Sequence, residues 1–356
     1  MQIKQLKINH LRNLTAESVN FTDGFNFIYG DNGSGKTSVL EAIYLLGTGH
    51  SFRTRETNPL IQDNQSQFTI FARSFEDDSV SICKSKSGQT HAKINQTPCR
   101  TSSELAQNMP CQIFYQDIFN IIDSGPSVRR HILDWGMFHV EPLYLELWKK
   151  LKRVVKQRNA LLKQRASRKD LEGWDQQLCD YSKQIDVYRK AYFENWMSVF
   201  FKILPELSPI EVNLEYYRGW PSDGRQTIED IMKDKYASDL QRQYTQIGAH
   251  QADIKILPPQ QQAKAKFVYS RGQQKMILIA LKLAQSKLLK QNCLYLFDDL
   301  SSELDSKHVD KLFQYLNHLE GQYFITSTDS KLGQRLSDTH KKIFNLEKGQ
   351  FKELTL

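Results

Sequence analysis

Apolar and polar positions alternate through most of the first hundred residues. The runs QIKQLKI (2–8) and AESVNF (16–21) are short and alternating, and FNFIYG (25–30) is an aromatic-rich run that ends at Gly30. Period-two stretches of this kind predict strands. The period then lengthens: in KTSVLEAIYLL (36–46), Val39, Ile43 and Leu46 fall on one face of a helix. After it FTIFARSF, SVSICKS and HAKINQ alternate again, with EDD and SGQ as turn signals between them, which predicts a β-meander.

The character changes at Asp123-Ser124-Gly125-Pro126, a loop before a helix. From Glu141 to Leu204 the spacing is almost wholly helical. Leu147, Leu151, Val154, Leu161 and Leu162 form one stripe. Leu178, Tyr181, Ile185, Tyr188, Tyr192, Trp196 and Val199 recur at steps of three and four, as in a coiled-coil seam. The polar stretch Arg165–Gly173 between them predicts the turn of an antiparallel hairpin about 30 Å long, at 1.5 Å per residue. Pro205, Pro209, GWPSDG (219–224) and a helix near Ile228–Tyr244 lead to a second α/β block. That block reads as a helix over Gln273–Leu289, strand CLYLF (293–297), a helix near Lys307–Leu319 and strand YFITS (323–327). The expected organisation is a discontinuous α/β head, 1–135 and 245–356, with a helical arm at 136–244.

Composition narrows the class. The five cysteines are scattered and free of any CxxC pair, which argues against a zinc site or a disulfide frame and for reduced thiols in a cytoplasm. No apolar run reaches the 18 or more residues of a membrane span, and the first residues lack the apolar core of a secretion signal, so a cytoplasmic chain without a membrane partner is expected. The net charge is +8, yet Leu147 to Lys169 holds ten basic residues and no acid. A polyanion such as DNA is one reading of this stretch, with Lys149, Lys152, Arg153 and Lys156 as phosphate contacts; a solvated helix face is the other.

The chemistry starts at Gly30-Asp31-Asn32-Gly33-Ser34-Gly35-Lys36-Thr37, which matches G-x-x-x-x-G-K-T between a predicted strand and a predicted helix. Glycines let backbone N–H groups curl round a phosphate, Lys36 is placed to neutralise β- and γ-phosphates, and the Thr37 hydroxyl is a Mg²⁺ ligand. A carboxylate must orient that metal. The apolar run Leu294–Phe297 passes straight into Asp298, which places an acid at the end of a buried strand, and Asp299 follows where it can polarise a water. Upstream of that strand, Ser270-Arg271-Gly272-Gln273 opens a helix. Ser270 and Gly272 are either an ordinary cap or a hydroxyl and helix N-terminus aimed at a phosphate.

The order of P-loop, Ser-x-Gly-Gln turn, acid-ended strand and SSELD (301–305) resembles the ABC-type ATPases, and the short helical insertion resembles an SMC-type head with its coiled coil cut short. GPSVRRHILDW (125–135), LKRVVKQRNALL (151–162), GAHQAD (248–253) and LYLFDDLSSELD (294–305) are similar to the RecF recombination mediator family. With LRN (11–13), GHSFR (49–53) and EKG (347–349) the likeness runs nearly end to end. The resemblance implies an ABC/SMC-like P-loop head and a cytoplasmic repair protein acting on gapped DNA with RecO and RecR. It implies ATP at Gly30–Thr37, Mg²⁺ at Thr37 and Asp298, and a signature at Ser270, Gly272 and Gln273 that completes the site of a second chain in an ATP-dependent homodimer. Asp299 is shorter than the glutamate usual in ABC-type sites, so slow hydrolysis is expected.

The chain departs from the family's pattern in places. Gln116-Asp117 stands where a proline precedes the acid, and Ser124 where glycine is common. Gln116 is either the glutamine-loop residue or a plain surface side chain, and Thr328 occupies the place of a switch histidine. Arg12 and Arg53 are candidates for phosphate contact or surface ion pairing, and His250 for nucleotide contact or a structural role. Arg129 and Arg130 are candidates for packing against the P-loop domain or for pairing with acids. A transporter energy subunit and an SMC-like structural head are the rival functions.

Overall fold

The computed structural model describes residues 1–354 apart from 222–223, 260–263, 301, 303 and 337–339. It divides into two compact units: Met1–Ile118 with Glu206–Ser208 and Leu289–Leu356, and Phe119–Pro205 with Pro209–Leu288.

In chain order the first unit begins with strands β1 (Ile3–Leu11), β2 (Leu14–Asn20) and β3 (Phe25–Tyr29), then helix α1 (Lys36–Thr48). Strands β4 (Gln67–Ser74), β5 (Ser79–Ser85), β6 (Thr90–Ile94) and β7 (Thr97–Cys99) follow, with helix α2 (Ser102–Asn108) and strand β8 (Cys111–Phe114). The second unit holds α3 (Asn120–Asp123), α4 (Pro126–Val140), α5 (Tyr144–Lys163), α6 (Arg168–Leu207, its last two residues in the first unit) and β9 (Asn213–Tyr217). It continues through α7 (Ile228–Arg242), β10 (Asp253–Leu257), α8 (Ala265–Val268) and α9 (Arg271–Lys287). The chain then closes the first unit with β11 (Leu294–Phe297), α10 (Ser306–Leu316), β12 (Gln322–Ser327), β13 (Lys341–Glu347) and β14 (Gln350–Leu354).

Two six-stranded sheets build the first unit. The antiparallel one runs β2-β1-β4-β5-β6-β7, the meander β4–β6 read from alternation together with β1, β2 and β7. The other runs β14-β13-β3-β12-β11-β8, and from β13 to β8 its strands are parallel. Helix α1 shares one core with both: Val39, Leu40, Ile43 and Leu46 are buried among Ile3, Leu6 and Ile8 of β1 and Leu294, Leu296 and Phe324 of β11 and β12. Parallel strands deliver their C-terminal ends to one edge of a sheet, where ligands of open α/β folds bind. At that edge lie Gly30 after β3, Asp298 after β11, Gln116 after β8 and Thr328 after β12.

Within the second unit α5 and α6 form the helical hairpin, and Leu178, Ile185, Tyr192 and Trp196 are buried seam residues. The turn is tighter than the polar stretch implied. Helix α6 already starts at Arg168, and Ser167 caps its first turn by bonding Asp170, so Gly173 lies inside the helix. Pro205 does not stop it either; α6 runs on to Leu207, whose side chain is fully buried. Arg158 also departs from the exposed basic run: its side chain is fully buried, with Nε 2.6 Å from Asp175 and Nη1 2.6 Å from Asp239. A buried guanidinium needs such partners, and this one fastens α5 to α6 and α7. The other nine basic residues of that stretch are exposed.

Candidate nucleotide site

The P-loop owes its shape to its glycines. Gly33 and Gly35 adopt φ of 80° and 110°, a left-handed backbone that side chains disfavour. A Cβ on Gly30 would lie 2.2 Å from the Leu346 carbonyl oxygen and 2.8 Å from Ser34 Oγ. Helix α1 then starts with no side-chain cap and no acid in its first turn, so the positive end of its dipole faces the loop uncompensated. The Ser34 hydroxyl is buried with no hydrogen-bond partner among the described residues. A glycine-formed curl, an uncapped helix start and an unpartnered hydroxyl fit a bound phosphate.

Lys36 is buried, and its Nζ donates to the carbonyls of Gly30 (2.7 Å) and Asp31 (2.9 Å). Burial lowers its pKa, while the carboxylates of Asp299, Asp298 and Asp31 oppose that fall. On the other side of the loop Thr37 Oγ1 donates to both oxygens of Asp298, at 2.9 and 3.1 Å. Thr326 Oγ1 adds a third bond to Asp298 at 2.9 Å and receives the Asp299 N–H, also at 2.9 Å. Burial raises the Asp298 pKa despite the Thr37 and Thr326 bonds. A hydroxyl and a carboxylate meeting beside a phosphate loop are the oxygen donors that suit Mg²⁺. Asp299 sits at φ 45°, a strained turn directly after the strand.

Gly33, Gly35, Lys36, Thr37, Asp298 and Asp299 line one cleft of about 960 Å³, together with Asn32, Gln116 and Thr328. Both sequence candidates for sensing a phosphate, Gln116 and Thr328, are therefore on its wall. Arg12 and Arg53 line it too, and their partner is not a surface acid. Glu41 of α1 has a fully buried side chain; Arg12 grips it with Nε at 2.9 Å and Nη2 at 3.0 Å, Arg53 stands 3.9 Å away, and Ser51 Oγ donates to it. Sequence reasoning missed Glu41, and it missed Pro59, Ile61, Gln62 and Asp63, which line the same cleft from an irregular segment with no periodicity to read.

In the second unit Ser270 is the N-cap of α9 in a reciprocal capping box. Its Oγ accepts the Gln273 N–H at 3.3 Å, and the Gln273 side chain accepts the Ser270 N–H at 2.9 Å. Capping uses a lone pair of the hydroxyl and leaves its hydrogen to donate. Gly272, between them, carries no side chain to screen the helix start. Ser301 and Glu303 of the SSELD segment lie outside the described residues; Ser302 lines the cleft and donates to the Asp299 carbonyl at 2.8 Å.

His250, Arg129 and Arg130 are bonded into the scaffold of the second unit. His250 bonds the Thr245 carbonyl through Nε2 at 3.1 Å, and burial pulls its pKa down to about 4. Arg129 pairs with Asp253 at 2.7 and 3.0 Å, and Arg130 donates to the Ala252 carbonyl at 2.7 Å, both inside the second unit. Lys149, Lys152, Arg153 and Lys156 are exposed on α5, with Lys149 paired to Glu146 and Lys152 over the Trp148 ring.

Sheet order, phosphate loop and an acid-ended strand one place removed from the loop's own strand define a nucleotide-binding head of the ABC/SMC type. The family model described as RecF/RecN/SMC N terminal domain matches residues 2–352. A DNA replication and repair protein RecF of Francisella tularensis subsp. tularensis (strain WY96-3418) is 35% identical over 97% of this chain and 100% of its own, and the RecF of subsp. novicida (strain U112) is likewise 35% identical. The chain belongs to the RecF family. A solved structure of the recombination mediator protein RecF with ATP in the RecFOR pathway aligns at TM-score 0.84 and 27% identity, covering 99% of this chain and 98% of that one. An Smc head bound to the C-winged helix domain of ScpA, at TM-score 0.59 and 18% identity, shares the fold.

Proposed function

We propose that this chain is an ATP-dependent DNA-binding protein of replication and recombinational repair, acting at gapped DNA with RecO- and RecR-type partners. The observation that carries the reading is the Thr37–Asp298 contact beside an uncapped P-loop, which joins two oxygen donors for a divalent cation to an anion cradle. Mg²⁺, when bound there by Thr37 and Asp298, supplies charge neutralisation for the phosphates of ATP. Lys36 gives up the carbonyls of Gly30 and Asp31 for the β- and γ-phosphates, and the Ser34 hydroxyl and the N–H groups at the start of α1 hold the same anion.

Asp299, on the cleft wall, is the base that orients water; its short side chain makes hydrolysis slow, suited to a switch. Ser270, Gly272 and Gln273 present a hydroxyl hydrogen and a helix N-terminus to the γ-phosphate bound by a second copy, so ATP joins two chains and ADP does not. The exposed basic face of α5 holds DNA by its phosphates without reading bases. Sedimentation with and without ATP, in the presence of gapped duplex, tests the whole: a two-chain species on DNA is expected with ATP alone. Equal sedimentation in both states would refute it.

A further inference from the structure

One side chain outside the G-x-x-x-x-G-K-T motif joins the middle of the phosphate loop to the first turn of α1. Asn13, in the turn between β1 and β2, donates from Nδ2 to the Gly33 carbonyl at 3.0 Å and accepts from the Ser38 hydroxyl at 3.2 Å through Oδ1. Its amide therefore spans the loop from Gly33 to Ser38, across Lys36 and Thr37. The left-handed Gly35 lies beneath it, and a Cβ there would come within 3.0 Å of Nδ2. Asn13 is itself seated. The turn between β13 and β14 places Gly349, at φ 83°, where a Cβ would be 2.5 Å from the Asn13 carbonyl oxygen. The Gly349 N–H donates to the Ser34 carbonyl at 2.9 Å.

A loop that offers N–H groups to an anion turns its carbonyls outward, and each outward carbonyl needs a donor. Four such carbonyls have donors here: Gly30 from Lys36, Asp31 from Lys36 and from the Ser34 N–H at 3.1 Å, Gly33 from Asn13, and Ser34 from Gly349. Once Lys36 leaves for a phosphate, Asn13 is the side-chain donor among these that still holds the curl, beside the backbone N–H groups of Gly349 and Ser34. We infer that Asn13 is a positioning residue that keeps the phosphate loop in its anion-receiving shape, with the Gly349 turn as its seat. This rests on the reading of the cleft as a nucleotide site. Because Asn13 is exposed, its bonds add little to the folding of the nucleotide-free chain, so affinity and stability separate.

The test is titration of the full chain with fluorescent ATP and ADP analogues in Mg²⁺, beside melting of the nucleotide-free protein. Asn13→Leu, near in size and unable to bond, should weaken both nucleotides about tenfold with their ratio unchanged. Ser38→Ala removes one leg of the bridge and should cost less, and the double variant should be no worse than Asn13→Leu alone, since the two groups act as one unit. Asn13→Leu within twofold of the unmodified chain, additive losses, or an affinity loss matched by an equally lowered melting temperature would each overturn the inference. Lys36→Ala is measured in parallel. If it retains nucleotide, the reading of the cleft itself is wrong; if it loses nucleotide while Asn13→Leu does not, only the role of Asn13 fails.

Discussion

The hydroxyl of Thr37 rests between the two carboxylate oxygens of Asp298, 2.9 and 3.1 Å away, across 261 positions of chain. The contact ties the start of α1 to the end of β11, and its chemistry depends on pH. Burial holds the Asp298 pKa above its ordinary value. For an acid raised in this way the folded state binds the extra proton, so stability falls as pH rises through the window between the ordinary and raised values. Binding a cation needs the charged form and weakens as pH drops through the same window. Asp298→Asn keeps an acceptor for Thr37 and removes a buried charge. It should melt no lower than the unmodified chain at neutral pH, yet lose at least about tenfold in Mg²⁺-dependent nucleotide affinity. Titrations with Mg²⁺ and with chelator check it; equal affinities in the two would move the metal elsewhere.

Asp299→Asn should leave nucleotide affinity within a few-fold and reduce turnover at least about a hundredfold, the usual contribution of a positioned base. Single-turnover hydrolysis measures it directly. A fully active variant would place the base at another residue of the cleft.

Ser270→Arg puts a long cation where the capping hydroxyl sits. The variant should bind ATP as a monomer and fail to pair or hydrolyse, because a helix cap contributes only about 1 kcal/mol to folding. Light scattering with ATP reads the outcome, and pairing equal to that of the unmodified chain would leave Ser270 as a cap and nothing more.

Replacing Lys149, Lys152, Arg153 and Lys156 with glutamate should weaken duplex binding and flatten its dependence on salt, since every phosphate left without its cation lowers the log–log slope by about 0.9. Binding isotherms at several salt concentrations decide the matter. An unchanged slope would make the stretch a solvated helix face.

Burial holds His250 at a pKa of about 4, far below its ordinary 6.5. The unfolded chain therefore binds the extra proton between these values, and stability falls as pH drops from about 6.5 to 4, by about 3 kcal/mol at most. Denaturant melts across that range should show the loss, and His250→Gln should flatten it. A slope unaffected by the substitution would assign the proton to another group.

The parts of the chain that state their chemistry locally were the legible ones. Gly30–Thr37 spells its own turn, Asp298 ends an apolar run, and the seam from Leu178 to Trp196 repeats at helical steps. Strand β8 was not anticipated, because a parallel strand buried on both faces shows no alternation and four residues carry little periodicity. Arg158 looked like one more cation of a basic helix; its two aspartates come from positions 175 and 239, which no local spacing links. Glu41 and Asn13 were invisible as site residues for the same reason, although Asn13 stands in the LRN turn that carried part of the family likeness.

Strand β3, which carries the phosphate loop, is flanked in its sheet by β12 and β13. Asn26 of β3 reaches the Tyr323 carbonyl across 297 positions. On a ribosome the loop is therefore made early and waits for close to 297 further residues before either neighbour exists. A nascent chain carries the nucleotide motif with two bare strand edges, open to wrong partners, until the last segments emerge. Nucleotide that binds only the paired sheet stabilises the head after β12 and β13 have joined β3, and not before.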